Sequence, residues 1–106
     1  MPNHTHTHYT SARWKIRAKG ETAFLRTWKQ FADWTLKQKY GALEAVLLQE
    51  EDDPDRFLSF FTWRDLEGVA RWRKSQRYRG YLAKLQELCE EMRIRTLRSV
   101  LRLEER

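Results

Sequence analysis

From residue 12 to residue 19 apolar and basic residues alternate, with Trp14, Ile16 and Ala18 set against Arg13, Lys15 and Arg17. A period of two predicts a strand with one apolar and one basic face, and Gly20 ends it. The period then lengthens. Over 21–40, Phe24, Trp28, Phe31 and Thr35 form one stripe with Leu25, Ala32 and Leu36 beside it, which predicts an amphipathic helix. Lys37 and Lys39 suit its negative end, and Gly41 supplies a stop. Two further strands are expected over 43–50 and 56–63. Between them Glu51-Asp52-Asp53-Pro54-Asp55 makes a hairpin turn, with Pro54 fixing one backbone angle.

The third strand is apolar on both faces, Phe57, Phe61 and Trp63 on one and Leu58 and Phe60 on the other. Such a strand needs a covering layer on each side. Asp65 is a good N-cap for a second helix carrying Leu66, Val69, Ala70 and Trp72, which breaks near Ser75. A third helix carries Tyr78, Tyr81, Leu82, Leu85, Leu88, Cys89 and Met92, and a last strand is expected over 94–103. The order β-α-β-β-α-α-β is the α+β, ferredoxin-like split βαβ arrangement, a four-stranded antiparallel sheet with helices on one face. Two such sheets facing each other across a two-fold axis would cover the other face, so a homodimer is expected. Glu44 and Glu50 are candidate partners there for the basic row of the first strand.

Composition narrows the chemistry. The 106 residues suit one domain with one core, and 41% hydrophobic and 13% aromatic residues exclude a disordered chain. No apolar run is long enough to cross a bilayer and no signal-like segment opens the chain, so no membrane partner and a cytoplasmic location are expected. The single Cys89 excludes an internal disulfide, and its core-like spacing marks it as a packed residue rather than a nucleophile. The net charge of +6 concentrates at Arg71, Arg73, Lys74, Arg77 and Arg79, which reads as a solvated helix face before it reads as a nucleic-acid patch.

Histidine occurs only at His4, His6 and His8, inside the segment 1–11 expected to be a flexible polar arm ahead of a domain over 12–106. The body therefore has no His for a Ser-His-Asp or Cys-His pair, nor for a zinc or haem site. The three tail imidazoles share one side of an extended chain and could hold a divalent cation. Nothing rigid or carboxylate-like lies near them to fix ligand geometry, so no metal site is expected. With four glycines, the chain has no Gly-rich phosphate loop.

Lys19-Gly20, Phe24, Trp28, Gly41-Ala42-Leu43, Asp53-Pro54 before Arg56-Phe57, Trp63, Trp72, and Ser75 with Tyr78 follow one another in a characteristic order and spacing. Over about residues 12–104 this resembles the antibiotic-biosynthesis monooxygenase family of dimeric α+β barrels. The resemblance implies a homodimer with a pocket between sheet and helices. It implies oxidation of a polycyclic hydroxyaromatic or quinol by dioxygen, with no metal or flavin cofactor, the ionised substrate serving as reductant. On that reading Trp63, Tyr78 and Arg77 are the candidate catalytic residues, with Arg79 and Tyr81 as alternatives to Arg77 and Tyr78. Trp28, Phe61, Trp72 and Tyr81 are the candidate pocket walls. With no His or Asn in the body, a general base must be a carboxylate, a Lys or a water. A haem-degrading branch of the family uses an Asn, a Trp and a His where this chain has Arg13, Trp72 and Leu82. Only the Trp is retained, so that mechanism is not expected.

The same resemblance allows a small-ligand-binding or stress-related domain that uses this pocket without chemistry. A third reading, RNA binding, draws on the strand-helix order, on Arg56-Phe57-Leu58-Ser59-Phe60 and on Arg13, Lys15 and Arg17. The glycines of the RNA-recognition motif are absent, so nucleic acid is not expected as a partner.

Overall fold

The computed structural model describes residues 8–105. The chain runs β1 (His8–Ile16), α1 (Glu21–Lys37), β2 (Ala42–Gln49), β3 (Arg56–Trp63), α2 (Leu66–Lys74), α3 (Gln76–Glu87) and β4 (Cys89–Arg98). The strands form one antiparallel sheet in the order β2-β3-β1-β4, the ferredoxin-like arrangement expected.

β1 starts at His8, so residues 8–11 belong to the sheet rather than to an arm before it. His4 and His6 lie outside the described residues. Along β1, Thr10, Ala12, Trp14 and Ile16 are buried, and along β3 Phe57, Ser59, Phe61 and Trp63 are buried. Register places Trp14 beside Phe57, Ala12 beside Ser59 and Thr10 beside Phe61, so these rows form one continuous helix-facing surface. α1 buries Phe24, Trp28, Phe31, Ala32 and Thr35 against it. The opposite face carries Val46, Leu48, Leu58 and Phe60 on β2 and β3, and Arg13, Lys15, Arg93 and Arg95 on β1 and β4.

Local signals set the joints. α1 ends at Lys37, ahead of the expected residue 40, because the chain turns through Tyr40 into Gly41 with φ +98°, a left-handed conformation that glycine adopts without strain. The first turn of α2 packs onto this turn so closely that a Cβ at Gly68 would collide with the Tyr40 carbonyl oxygen. The β2–β3 turn is fastened by the Arg56 amide donating to Asp53 O at 2.9 Å and the Gln49 side-chain amide donating to Pro54 O at 2.8 Å. Asp65 caps α2 by accepting the Gly68 amide at 2.9 Å. Ser75 separates the last two helices and caps α3 by accepting the Tyr78 amide at 3.1 Å.

The last strand differs most from expectation. It begins at Cys89 instead of Ile94, and α3 stops at Glu87. Leu85, Leu88, Cys89 and Met92 also fit a helical period, but the Leu88 amide closes the helix on Leu85 O at 3.0 Å. Pairing with β1 then takes over, with Ile16 opposite Cys89 across an irregularity in the ladder. Cys89 is buried, as its spacing suggested, but at the head of a strand. Among the described residues no helix is long and apolar enough to cross a membrane.

Candidate functional site

Four tryptophans stand between the sheet and the helices, and three of them have their indole N–H groups fastened by hydroxyls. Trp14 donates to Ser59 Oγ at 3.1 Å, Trp63 to Thr10 Oγ1 at 3.0 Å and Trp72 to Thr35 Oγ1 at 2.9 Å. Each bond joins residues far apart in sequence and satisfies a donor and a hydroxyl that burial would otherwise leave unpaired. Trp28 is different, since its Nε1 is buried without a partner.

The rings pack around Trp72. Tyr78 meets it edge-on at 4.6 Å between centroids, Trp63 lies at 4.7 Å, Phe61 at 5.3 Å, and Phe31 stacks at 5.6 Å. These separations are those of favourable aromatic pairs, so the cluster is held by ring geometry as well as by burial. A cleft opens beside it. Its sheet wall is Thr10, Ala12, Trp14, Ser59 and Phe61, and its helical wall is Phe31, Trp72, Tyr78 and Leu82, with Ile94 at the β4 edge. Its cavity volume is about 20 Å³. The cleft is thus apolar and narrow, with room for about one water molecule, and its walls must move apart to take anything larger.

Of the residues expected at the site, Phe61, Trp72 and Tyr78 line the cleft together. Trp63 is fully buried behind Trp72. Trp28 stacks on the far side of Phe61 at 6.1 Å. Tyr81 packs against Phe31 and Trp34 and borders a separate outer groove. Arg77 is exposed and lines that outer groove with Gln30 and Lys84. Arg79 is also exposed.

The cation that does reach the cluster is Arg73. Its Nη1 donates to Thr96 Oγ1 at 2.7 Å, and its Cζ lies 6.0 Å from the centroid of the Trp72 ring. Its Nε and Nη2 are buried with no hydrogen-bond partner. Burial pushes the Tyr78 phenol above its ordinary range, while the positive charge of the neighbouring Arg73 pulls it down. Tyr78 therefore stays protonated and can donate near neutral pH. Arg73 is one of five cations in a short run, and composition does not separate them. Its position four residues after Val69 and next to Trp72 sets it at the flank of the buried helix face, and that spacing is the signal in the sequence.

Among the described residues there is no cluster of His, Cys, Asp and Glu suited to a metal ion. No carboxylate, His or Lys among the described residues lines the cleft, so the walls supply hydrogen bonds and exclude water rather than offer a base.

Known proteins place the fold. SnoaB from Streptomyces nogalater, a cofactor-independent oxygenase, superposes with a TM-score of 0.84 over 95% of this chain and 100% of its own, at 16% identity. A conserved protein from Methanosarcina mazei Go1 superposes with a TM-score of 0.80 over 89% of this chain and 93% of its own, at 19% identity. No curated protein matches the chain in sequence. The sequence profile of the antibiotic biosynthesis monooxygenases matches residues 7–84, most of the chain, and the chain belongs to that family.

Proposed function

We propose that this protein is a cofactor-independent monooxygenase that oxidises a polycyclic hydroxyaromatic or quinol with dioxygen, working as a homodimer. The observation that carries the proposal is the aromatic-walled cleft with the protonated Tyr78 phenol in its wall. Family membership supports the reaction class, as does the likeness to a cofactor-independent oxygenase.

The reaction needs little from the protein beyond binding and electrostatics. An ionised hydroxyaromatic transfers one electron to dioxygen, giving a substrate radical and superoxide. The two combine into a carbon–oxygen bond, the peroxide takes up a proton, and its O–O bond breaks as water leaves. A CH₂ group and O₂ thus become C=O and H₂O. Trp72, Phe61, Phe31 and Trp14 hold the rings flat and exclude water. Tyr78 donates a hydrogen bond to substrate oxygen where negative charge resides. The first proton goes to water at the mouth, since the walls offer no base. Leu82 and Ile94, both half-buried, are the walls that must yield to admit a polycycle. Trp63 acts indirectly, by backing Trp72 and holding Thr10.

The test is oxygen uptake by metal-stripped protein with a panel of anthrones and naphthoquinols. Uptake above the spontaneous rate is expected, with Tyr78→Phe slower in kcat by roughly a hundredfold and KM little changed. No uptake across the panel would move the reading to a domain that binds an aromatic ligand without chemistry, which the absence of a base in the cleft favours.

A further inference from the structure

We infer that Arg73 makes the cleft selective for aromatic anions, its unpartnered guanidinium edge receiving a carboxylate, phenolate or enolate oxygen carried on the ring system that the cleft encloses. This rests on the cleft being the binding site, and not on its catalysing a reaction.

The argument starts from an unmet requirement. A buried donor without an acceptor costs free energy, more so when it is charged, and such groups in a native protein call for an explanation. Arg73 Nε and Nη2 are two such donors side by side, and Nη1 is already engaged by Thr96. Among the described residues Arg73 forms no ion pair, although the chain has 15 Asp and Glu residues. Thr96 therefore aims the fork without neutralising it. Arg73 stands beside the cleft and not in its wall, but residues around its guanidinium belong to the cleft. Trp72 and Tyr78 line it, and Thr96 sits opposite Thr10, another lining residue, in the β1–β4 register. Ile94, two positions before Thr96, lines it as well.

The free edge of an arginine, Nε with one terminal nitrogen, presents two parallel N–H bonds. That geometry matches two oxygens of a carboxylate or a peri-related pair of phenolic oxygens. Neighbouring aromatic walls keep water away and so strengthen the charge-assisted bond. A neutral ring of the same shape would fill the cleft yet leave both donors unpaired. The penalty for that is what separates anion from neutral analogue.

The experiment is calorimetric titration of the full chain at pH 7 with 2-naphthoate and, separately, 2-naphthamide. The two share a ring and differ in charge, and neither is a quinol, so oxygen chemistry does not enter. Naphthoate is expected to bind at least tenfold more tightly. Arg73→Gln should remove that preference, lowering naphthoate affinity roughly ten- to a hundredfold while naphthamide changes less than about twofold. Arg73→Lys keeps the charge without the fork and should fall between. Equal affinities in the native protein, no binding of either compound at millimolar concentration, or a preference that survives Arg73→Gln would each overturn the inference. The last of these would assign the preference to the general positive charge of the chain. Should Arg73→Gln fail to fold by circular dichroism, Thr96→Val and Arg73→Lys replace it, and an undiminished preference in both would overturn the inference equally. Oxygen uptake with anthrones that is unaffected by Arg73→Gln would leave the oxygenase reading in place and remove Arg73 from it.

Discussion

On the helix-facing side of β3, Phe57, Ser59, Phe61 and Trp63 are buried, whereas one residue out of step Leu58 and Phe60 are only half-buried. The two sides of the same strand are comparably greasy, so composition does not distinguish them. What differs is the neighbours. Inside, Phe57 meets Phe24 of α1, Phe61 meets Phe31 of α1 and Trp72 of α2, and Trp63 meets Trp72. Outside, Leu58 and Phe60 continue into Val46 and Leu48 of β2, exposed at 40% and 48%, and then into Arg13 and Lys15 of β1. The inner surface is complete within one chain. The outer surface has an apolar half and a basic half, with Arg13 directly opposite Arg93, an unfavourable like-charge pair when left alone. A second copy placing its own apolar half and Glu44 against this face would relieve both problems.

The largest effect separates the two sides. Phe57→Lys places a charge where Phe57 is 5% exposed and packs at 5.0 Å from Phe24, so a loss of more than about 4 kcal/mol, enough to unfold many small domains, is expected. Phe60→Lys should cost the folded monomer less than about 1 kcal/mol and convert a dimer to a monomer. Urea denaturation and sedimentation equilibrium read the two outcomes. A Phe60→Lys protein that still sediments as a dimer would take the outer face out of the assembly.

That contrast also shows what the sequence could reveal. The two apolar rows of β3, the cap at Asp65, the helix break near Ser75, the stop at Gly41 and the turn around Pro54 are local signals, and all were legible; that Ser75 also caps α3 was not. Which row of β3 faces the helices was not, because the answer depends on the partners supplied by α1. The start of β4 was misplaced for a related reason. Leu85, Leu88, Cys89 and Met92 suit a helix and a strand alike, and only pairing with β1 decides. At the site, Phe61, Trp72 and Tyr78 were legible as large aromatics at core spacing. Ser59, Thr10 and Thr35 were not, since a hydroxyl 45, 53 or 37 residues away from its indole leaves no mark in a local pattern. Arg73 is set apart from four like charges only by its spacing from Val69, and Trp72 and Thr96 then fix its surroundings.

A second comparison lies within the inner layer, between a tryptophan with its hydrogen bond and one without. Trp72→Phe and Trp28→Phe remove the same atoms from buried positions, so their cavity terms are similar. Trp72→Phe additionally leaves the hydroxyl of Thr35, which is 0% exposed, without its donor. It should therefore cost about 1–3 kcal/mol more than Trp28→Phe, which removes a buried N–H that had no partner. Thr35→Val in the Trp72→Phe background should recover part of the difference. Equal losses in the two single variants would mean that ring packing, not the indole bond, holds this layer.

The smallest effect at neutral pH comes from Cys89, at the sheet edge of the same core. Burial pushes its thiol from 9.0 to about 11, against a weaker opposing pull from Arg17. The folded chain then keeps the proton that the unfolded chain releases above pH 9, so stability is unaffected at pH 7 and declines as pH rises from 9 to 11. By the top of that range the thiol accounts for a loss of roughly 2 kcal/mol. Cys89→Ala loses a few buried atoms at every pH but should lack this alkaline slope, so the stability curves of the two proteins converge above pH 9. A thiol reagent at pH 7 should label the native chain slowly and the urea-unfolded chain fast. Parallel curves together with rapid native labelling would mean that the β4 edge opens readily, and the inner face would then be less closed than its aromatic packing indicates.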